Sequence, residues 1–167
     1  MNYKNCIIEV PDFPKPGISF KDISPLLENR HLWNRAMMDL FDKLNGHLPD
    51  YWVGIDSRGF LLASTFIGLI NNSKVKGMKL IRKAGKLPPT VFSYSYSTEY
   101  SEDTIQIKPG TGSVVIVDDV YATGGTMKAA EILCKSAGYD VIGKLVLIDL
   151  LYLHDKDETI KSFVQYE

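Results

Sequence analysis

Short apolar runs alternate with helical segments along most of this chain, and this alternation limits the possible folds more than any other feature. Helices are predicted to begin near Gly59 and near Gly125. Strand–helix–strand units of this kind build parallel sheets that helices cover on both faces. The sequence therefore predicts an α/β fold with a mostly parallel, twisted sheet. The apolar runs cover residues 51–55, 78–81, 114–117 and 141–148.

Length and charge narrow the class of protein. The chain has 167 residues, enough for one well-packed domain, so we expect a single domain over residues 1–167. Apolar residues make up 45% and charged residues 23%, which is typical of a globular protein. The formal net charge is −1 and no long basic block is present, which argues against nucleic acid as the main partner.

Cysteine usage and hydropathy predict a cytoplasmic protein. Cys6 and Cys134 are far apart in predicted helical segments, which is not a disulfide framework. The most apolar stretch, residues 59–70, is shorter than the ~20 residues that a membrane-spanning helix needs and contains Ser64 and Thr65. The first residues have no apolar signal core. We therefore expect no membrane partner.

Two segments depart from the alternating pattern. Residues 12–17 contain two prolines and a glycine, which favours an extended turn, and a helix is predicted to begin at Ser24 and to carry a core-facing stripe. Residues 83–112 lose the pattern and then alternate hydroxyl and aromatic residues, which is typical of an active-site flap. The stripe consists of Leu32, Trp33, Ala36, Met37, Leu40, Phe41 and Leu44.

Residues 114–126 combine a buried strand, an acid pair and a loop of small residues that opens a helix. Unpaired N–H groups at a helix start bind phosphate, whereas Asp118 and Asp119 would repel it unless the ligand also offers hydroxyls, a metal or positive charge. A phosphorylated sugar has these properties. The simpler alternative is a turn capped by Thr123 or Thr126, and a phosphoacceptor domain would carry its acid pair after the first strand. The loop consists of Ala122, Thr123, Gly124, Gly125 and Thr126.

Two further segments offer anion-binding groups after predicted strands. Asp56, Ser57 and Arg58 form a tight turn before a helix, and the Arg58 guanidinium suits a second phosphate or a pyrophosphate. Asp56 could instead cap that helix, with Arg58 in a surface ion pair. Basic residues at positions 82, 83 and 86 follow another strand, where a solvated charge run is the usual explanation. Together the sites suggest a ligand with phosphates at both ends.

Glu99 lies in the predicted flap, next to Tyr100. A flap that closes over this carboxyl would raise its pKa and make it a plausible proton donor. An ordinary surface role is the alternative.

Taken together, these segments resemble the type I phosphoribosyltransferases. Residues 114–126 are similar to the family's signature for 5-phosphoribosyl 1-pyrophosphate (PRPP), and residues 11–25, 56–60 and 82–88 with Glu99 and Tyr100 resemble the adenine-specific members. The resemblance implies transfer of ribose 5-phosphate from PRPP to N9 of adenine, with Mg²⁺. It implies a hood over about residues 1–25 and a β flap over about residues 83–108.

The resemblance also assigns roles to PRPP-binding residues. Residues 122–126 would hold the 5-phosphate, and Asp118 and Asp119 would bind the ribose hydroxyls near the developing positive charge. Residues 56–58 would form a pyrophosphate loop with a strained or cis peptide bond, and Lys86 and Tyr100 would add contacts. Arg82 and Lys83 would reach the neighbouring subunit's site, which implies a homodimer. The implied catalytic residues are Glu99, Arg58, Asp118 and Asp119.

By the same resemblance, adenine would lie between Phe20 and Leu150. Backbone groups of Ile18, Ser19, Phe20 and Lys21 would read its 6-amino edge. Lys21 and Ser19 depart from the arginine and the aliphatic residue that are usual there, and residues 87–90 are shorter than the family's flap hinge. No metal-binding side chain is assigned, because PRPP and water would carry most of the Mg²⁺ contacts.

Two other functions remain open at this point. One is a transferase of the same fold that acts on a 6-oxopurine, although such enzymes have a longer C-terminal hood and only a short tail follows Leu150 here. The other is a non-catalytic regulator that binds PRPP, which would need a nucleic-acid-binding face or an added domain.

Overall fold

A seven-stranded sheet forms the centre of the molecule in a computed structural model, which describes residues 3–97 and 102–167. Its strand order is β5-β6-β4-β3-β7-β8-β9, and β1 and β2 form a separate antiparallel pair. The strands are β1 (Ile8–Val10), β2 (Phe20–Asp22), β3 (Tyr51–Ile55), β4 (Gly77–Lys83), β5 (Phe92–Ser97), β6 (Glu102–Ile107), β7 (Gly112–Tyr121), β8 (Tyr139–Leu150) and β9 (Ile160–Tyr166). The helices are α1 (Ser24–Leu27), α2 (Arg30–Asp42), α3 (Gly59–Leu69) and α4 (Gly125–Ser136).

The predicted mostly parallel sheet is confirmed. Strands β4, β3, β7, β8 and β9 are parallel to one another, and β6 and β5 add an antiparallel edge. Side chains of β7 alternate between the two faces: Val115 and Val117 pack in the core under α2 and α3, whereas Val114 and Ile116 pack against α4. Helices therefore cover both faces, as predicted.

The segment after Leu150 is more than the expected short tail. A turn of 3₁₀ helix over Leu151–Leu153 leads into β9, which pairs in parallel with β8. In β9, Ile160, Ser162 and Val164 are buried, whereas the residues between them are exposed or only partly buried. This half-buried alternation is typical of an edge strand.

The predicted helix from Ser24 is interrupted. It ends after the four residues of α1, and the Asn29 side chain then accepts hydrogen bonds from the backbone N–H groups of His31 and Leu32, both at 3.1 Å, to begin α2. Asn29 is thus the stronger start signal. The stripe faces the core as predicted, with Trp33, Ala36, Met37, Leu40 and Leu44 buried.

The flap segment contains strands, as expected of a β flap, and the N-terminal segment contains two short strands. The expected extended turn at residues 12–17 connects β1 to β2, and the flap segment forms the β5–β6 ribbon. Glu99 and Tyr100 lie outside the described residues. Within residues 3–97 and 102–167, no helix has both the length and the apolar character needed to cross a membrane.

Candidate active site

Parallel pairing of β3 and β7 brings two of the predicted motifs together. Gly54 is opposite Val117, so Asp56, directly after β3, and Asp118, on β7, lie at the same edge of the sheet. Asp118 and Asp119 were expected to follow their strand, but they lie inside β7. The strand continues because β8 is long and pairs with it as far as Tyr121.

The two carboxyl groups of the acid pair are destabilised in their charged forms. Asp119 is only 6% exposed, and its backbone N–H donates to Asp118 Oδ1 over 2.9 Å. Burial raises the pKa of Asp118 well above its ordinary value, and the charge of Asp119 raises it further. Burial also raises the pKa of Asp119, against the opposing charge of Arg58. Hydroxyl donors or a positive charge on a ligand would offset this cost.

Arg58 connects the acid pair to the N-terminal hood. Its Nη2 lies 2.7 Å from Asp119 Oδ2. The N–H bonds do not point along this contact, which leaves the buried Oδ2 without an aligned donor among the described residues. The guanidinium also lies 5.0 Å from the Phe20 ring centroid, and Nη1 lies 3.5 Å from the Lys21 carbonyl oxygen. The Arg58 side chain is only 33% exposed and contacts both β7 and the hood, so its pairing with Asp119 is not an ordinary surface ion pair.

A close approach between backbones fixes the position of Arg58. A Cβ on Gly59 would lie 2.6 Å from the Val117 carbonyl oxygen, so only glycine allows α3 to begin directly on β7. Arg58 is the residue before the helix, and no side chain caps it, so Asp56 is not its cap. The Asp56–Ser57 peptide bond is cis, as the resemblance implied.

The loop before α4 has the geometry of an anion site. Gly124 has a φ of +83° at the start of the helix, and no side chain caps it, which argues against Thr123 or Thr126 as the cap. The first N–H groups of α4 thus keep their partial positive charge for a ligand. A cavity of about 90 Å³ lies here, a size that suits a compact anion. It is lined by Asp118 and residues 120–127.

The flap ribbon and the sheet contribute two residues that the sequence analysis did not single out. The Tyr96 hydroxyl lies 3.3 Å from Thr126 Oγ1, so β5 reaches the loop. Tyr121 lies beneath the loop, because a Cβ on Gly124 would be 2.5 Å from its hydroxyl oxygen. The signal for Tyr121 was present as an aromatic residue directly before a loop of small residues.

The basic residues were expected to follow a strand, but Arg82 and Lys83 are the last two residues of β4, because β6 pairs with them, and only Lys86 follows it. Arg82 faces the predicted pyrophosphate turn, residues 56–58, of its own chain. Arg82 Nε lies 3.2 Å from Asp56 Oδ2, and Arg82 Nη1 donates to the Lys86 carbonyl oxygen over 3.3 Å. Lys83 is exposed and its Nζ lies 3.6 Å from Asp103. The structure therefore brings Arg82 to the predicted pyrophosphate turn, whereas Lys83 points toward solvent near the flap.

An apolar cavity of about 460 Å³ is lined by residues of the hood and by Arg58 at the start of α3. Phe20 lines it, and the Phe13 ring packs edge-on against Phe20 with centroids 5.2 Å apart. Ile18 is exposed beside it. Leu150 ends β8, is buried in the core and is not among the residues that line this cavity. The lining consists of Val10, Phe13, Phe20, Asp22, Ile23, Ser24, Leu27 and Arg58.

The side chains of Lys21 and Ser19 turn away from that cavity. Lys21 is 4% exposed, and its Nζ lies 2.9 Å from Glu9 Oε2 and 4.4 Å from the Tyr166 ring centroid. The Ser19 hydroxyl donates to the other oxygen of Glu9 over 2.5 Å. Only the backbones of these two residues are left to contact a base. Glu9 and Tyr166 carried no distinguishing signal in the sequence.

Comparison with known proteins identifies the family. The model of the phosphoribosyl transferase domain family matches residues 26–165. Curated adenine phosphoribosyltransferases from Bdellovibrio bacteriovorus and Rhodospirillum rubrum are 46% and 41% identical, the alignments covering 99% and 100% of this chain and 100% and 99% of theirs.

Solved structures of adenine phosphoribosyltransferases support the same family assignment. Adenine phosphoribosyltransferase from Rhodothermus marinus superposes with a TM-score of 0.84 at 37% identity, covering 98% of this chain and 96% of that one. The Giardia lamblia enzyme complexed with 9-deazaadenine gives a TM-score of 0.86 at 30% identity, covering 99% and 97%. The chain therefore belongs to the adenine phosphoribosyltransferase family.

Proposed function

We infer that this chain transfers ribose 5-phosphate from PRPP to N9 of adenine and releases AMP and pyrophosphate. The observation that carries the inference is the placement of the acid pair of β7 between the helix start at Gly124 and the guanidinium of Arg58. One end of this arrangement suits a phosphate, the other suits a pyrophosphate, and the acids between them suit ribose hydroxyls. This order of groups supports a ligand in which a sugar carries phosphates at both ends.

Different residues would serve different parts of the transfer reaction. The C1–oxygen bond of PRPP breaks and its electron pair leaves with pyrophosphate, while N9 of adenine forms the new bond to C1 and loses its proton. Asp118 and Asp119 stabilise the positive charge that develops on the ribose. Residues 122–126 hold the 5-phosphate through backbone N–H groups, and the hydroxyls of Thr123 and Thr126 add donors.

Pyrophosphate would contact the turn at residues 56–58 and the basic cluster that faces it. Asp56 is paired with Arg82 of its own chain, and a pyrophosphate bound at the turn would meet the guanidinium group of Arg58. Lys86 and Tyr100 are proposed as further PRPP contacts.

Adenine is proposed to bind at the hood. The Phe20 ring faces an apolar cavity that suits a flat base, and the backbones of residues 18–21 would read the 6-amino edge. Leu150 is proposed for the opposite face of the base, which requires a rearrangement that exposes it. Glu99 is proposed to handle the proton on the purine ring.

The chain's own donors fit a Mg²⁺ ion that the substrate mainly carries. The described residues contain no group of three or more His, Cys, Asp or Glu side chains arranged for a metal. Mg²⁺ commonly uses one or two carboxylates, several waters and the phosphates of its substrate. The Asp118 and Asp119 carboxylates beside the ribose could supply those protein contacts. When bound, the ion would neutralise charge on the departing pyrophosphate.

A cytoplasmic homodimer is the proposed working form. Leu61 and Ile67 expose apolar side chains on the outer side of α3, which a second copy could cover. Arg82 and Lys83 are the last two residues of β4 and are proposed to reach the partner's PRPP. The Arg82 guanidinium already lies 5.9 Å from the Phe60 ring centroid on α3.

A panel of bases tests the proposed function. The purified chain is incubated with PRPP and Mg²⁺ and, separately, with adenine, hypoxanthine, guanine or xanthine, and the nucleotides are separated by chromatography. We expect AMP and pyrophosphate from adenine. We expect the 6-oxopurines to react more slowly by a factor on the order of 10⁴, because a site that reads an amino group leaves polar groups unpaired with an oxo group.

Reactions without PRPP, and with ribose 5-phosphate in its place, serve as controls. Product from hypoxanthine but none from adenine would contradict the assignment of the base. PRPP binding without turnover of any base would indicate a regulator instead.

A further inference from the structure

A buried His–Asp pair lies behind the phosphate loop and takes no part in the chemistry described above. His154 Nε2 lies 2.8 Å from Asp149 Oδ1, and the two side chains are 7% and 6% exposed. The other ring nitrogen, Nδ1, lies 2.7 Å from the Asp155 carbonyl oxygen. Gln165 on β9 donates to the second oxygen of Asp149 over 3.4 Å.

Both partners of the His154 ring can only accept hydrogen bonds. A neutral imidazole donates from one nitrogen and accepts at the other, so it can satisfy either the carboxylate or the carbonyl. The imidazolium donates from both. The arrangement of acceptors therefore assigns a positive charge to His154, which the Asp149 carboxylate balances inside the protein.

The surrounding groups agree with this protonation state. Burial alone would lower the pKa of His154, but the hydrogen bonds to Asp155 and Asp149, together with the charges of Asp149 and Asp157, raise it above its ordinary value. The described residues that face the ring are Tyr121 from β7, Asp149 from β8, and Asp155 and Asp157 from the following loop; Lys144 lies 3.9 Å from Asp157.

The imidazolium supports the aromatic ring that lies under the loop. The rings of His154 and Tyr121 pack edge-on, with centroids 4.5 Å apart at 81°. The Tyr121 hydroxyl lies 3.5 Å from Asp157 Oδ2 and directly beneath Gly124. Any movement of the His154 ring therefore reaches the helix start through one side chain.

We propose that His154 is a positioning residue that holds Tyr121 beneath the 5-phosphate loop. The proposal rests on the proposed function, because it takes residues 122–126 as the 5-phosphate site. Loss of the imidazolium would let Tyr121 shift and would loosen the loop, so it would weaken PRPP binding and leave the adenine site unchanged.

Nuclear magnetic resonance gives the first test. The chain has three histidines, and His31 and His47 are exposed, so the His154 signals in a ¹⁵N-labelled sample are identified by their loss in His154→Gln. We expect both ring nitrogens of His154 to be protonated at pH 7. In Asp149→Asn, we expect one proton to be lost at a lower pH than in the wild type. A neutral His154 at pH 7 would overturn the proposal.

Steady-state kinetics and calorimetry give the second test. For His154→Gln we expect the KM and the Kd for PRPP to rise about tenfold, with the KM for adenine and kcat changed less than about twofold. The matched control His47→Gln should change none of these. The wild-type KM for PRPP should rise at alkaline pH as the imidazolium deprotonates, and this rise should be absent in His154→Gln.

The outcomes separate the proposal from the proposed function. A folded His154→Gln protein, judged by circular dichroism, that binds PRPP like the wild type would overturn the positioning role. An equal rise in both KM values would show a merely structural role. Absence of adenine turnover in the wild type would contradict the proposed function, whereas the calorimetric Kd for PRPP would still report on the loop.

Discussion

The two ends of the β3–β7 strand pair hold aspartates in opposite electrostatic states. Before β3, Asp50 accepts hydrogen bonds from the Ser113 backbone N–H and hydroxyl, at 2.8 and 3.0 Å, and its other oxygen lies 3.0 Å from Lys76 Nζ. The Ser113 and Lys76 contacts lower the pKa of Asp50 to about 2. At the carboxyl end, burial instead raises the pKa values of Asp118 and Asp119.

This difference distinguishes Asp50, an acid with a structural role, from Asp118 and Asp119, whose charges we expect a ligand to stabilise. Asp50 closes the end of the sheet with donors supplied by the fold, so its charge stabilises the folded chain. The acid pair has the Asp119 backbone N–H and Arg58 beside it, but burial outweighs these contacts, so its charge costs folding free energy until a substrate supplies hydroxyls and positive charge. Carboxyl groups that are destabilised in their ionised form thus lie at the carboxyl end of the strands, which is where ligands bind in open α/β folds.

The largest expected effect comes from Asp119→Asn. We expect kcat/KM for AMP formation to fall on the order of a hundredfold or more, because a charge that stabilises the transition state is removed. The folded chain should become more stable. Because the pKa of Asp119 is raised in the fold, its ionised form costs stability above the unfolded pKa of about 4. We expect Tm at pH 7 to rise by about 2–4 °C for each ~1 kcal/mol by which the free energy of unfolding increases.

Asp140→Asn is the matched control, since Asp140 is exposed on β8. It should change neither kcat/KM nor Tm. An Asp119→Asn protein that retains full turnover, or that is less stable than the wild type at pH 7, would contradict the distinction between the two ends.

Two glycines with positive φ extend the comparison, one at each end of the sheet. Gly124→Ala places a Cβ 2.5 Å from the Tyr121 hydroxyl oxygen at a φ of +83°, so we expect the KM for PRPP to rise about tenfold. Gly112→Ala is the control: its φ is +114°, and its Cβ would lie 3.0 Å from Asp50 Oδ2.

Both variants should lower the free energy of unfolding by about 1–3 kcal/mol, since each forces an alanine into a left-handed conformation. Only Gly124→Ala should weaken PRPP binding. Equal KM values for PRPP in the two variants would show that the loop geometry does not matter for binding. Kinetics and urea unfolding measure both quantities.

The geometry of the proposed sugar-phosphate half of the site could largely be predicted because it is local in sequence. In residues 114–126 the strand, the acids and the helix start follow one another, so the order of the residues fixes their order in space. The main error was the position of Asp118 and Asp119, which lie inside β7 because β8 supplies a partner beyond the apolar run. Propensity alone does not reveal how far a neighbouring strand extends.

The proposed base-binding half could not be predicted from the residues alone, because it is assembled from distant segments. Lys21 meets Glu9 across the β1–β2 pair and Tyr166 from β9, a strand that the sequence analysis took for a tail. Such contacts depend on tertiary packing and leave no periodic signal. The resemblance named Phe20, which lines the hood cavity, and Leu150, which is buried in the core.

The smallest expected effect concerns the structural end of the sheet and is a dependence of stability on pH. Because the pKa of Asp50 is lowered in the fold, its contribution to stability is present above the unfolded value of 3.8 and is lost as the pH falls through about 2. Asp50→Asn should therefore lower Tm at pH 7, and the difference from the wild type should shrink between pH 4 and pH 2. Kinetic constants for both substrates should stay unchanged. The Asp119→Asn variant should show the opposite sign at pH 7, because the substitution removes a buried charge that costs stability. Thermal unfolding of the wild type and both variants across this range, followed by circular dichroism, checks the prediction. If Asp50→Asn kept a constant Tm difference down to pH 2, the loss of stability would come from packing, and the two ends of the sheet would not differ in the way proposed.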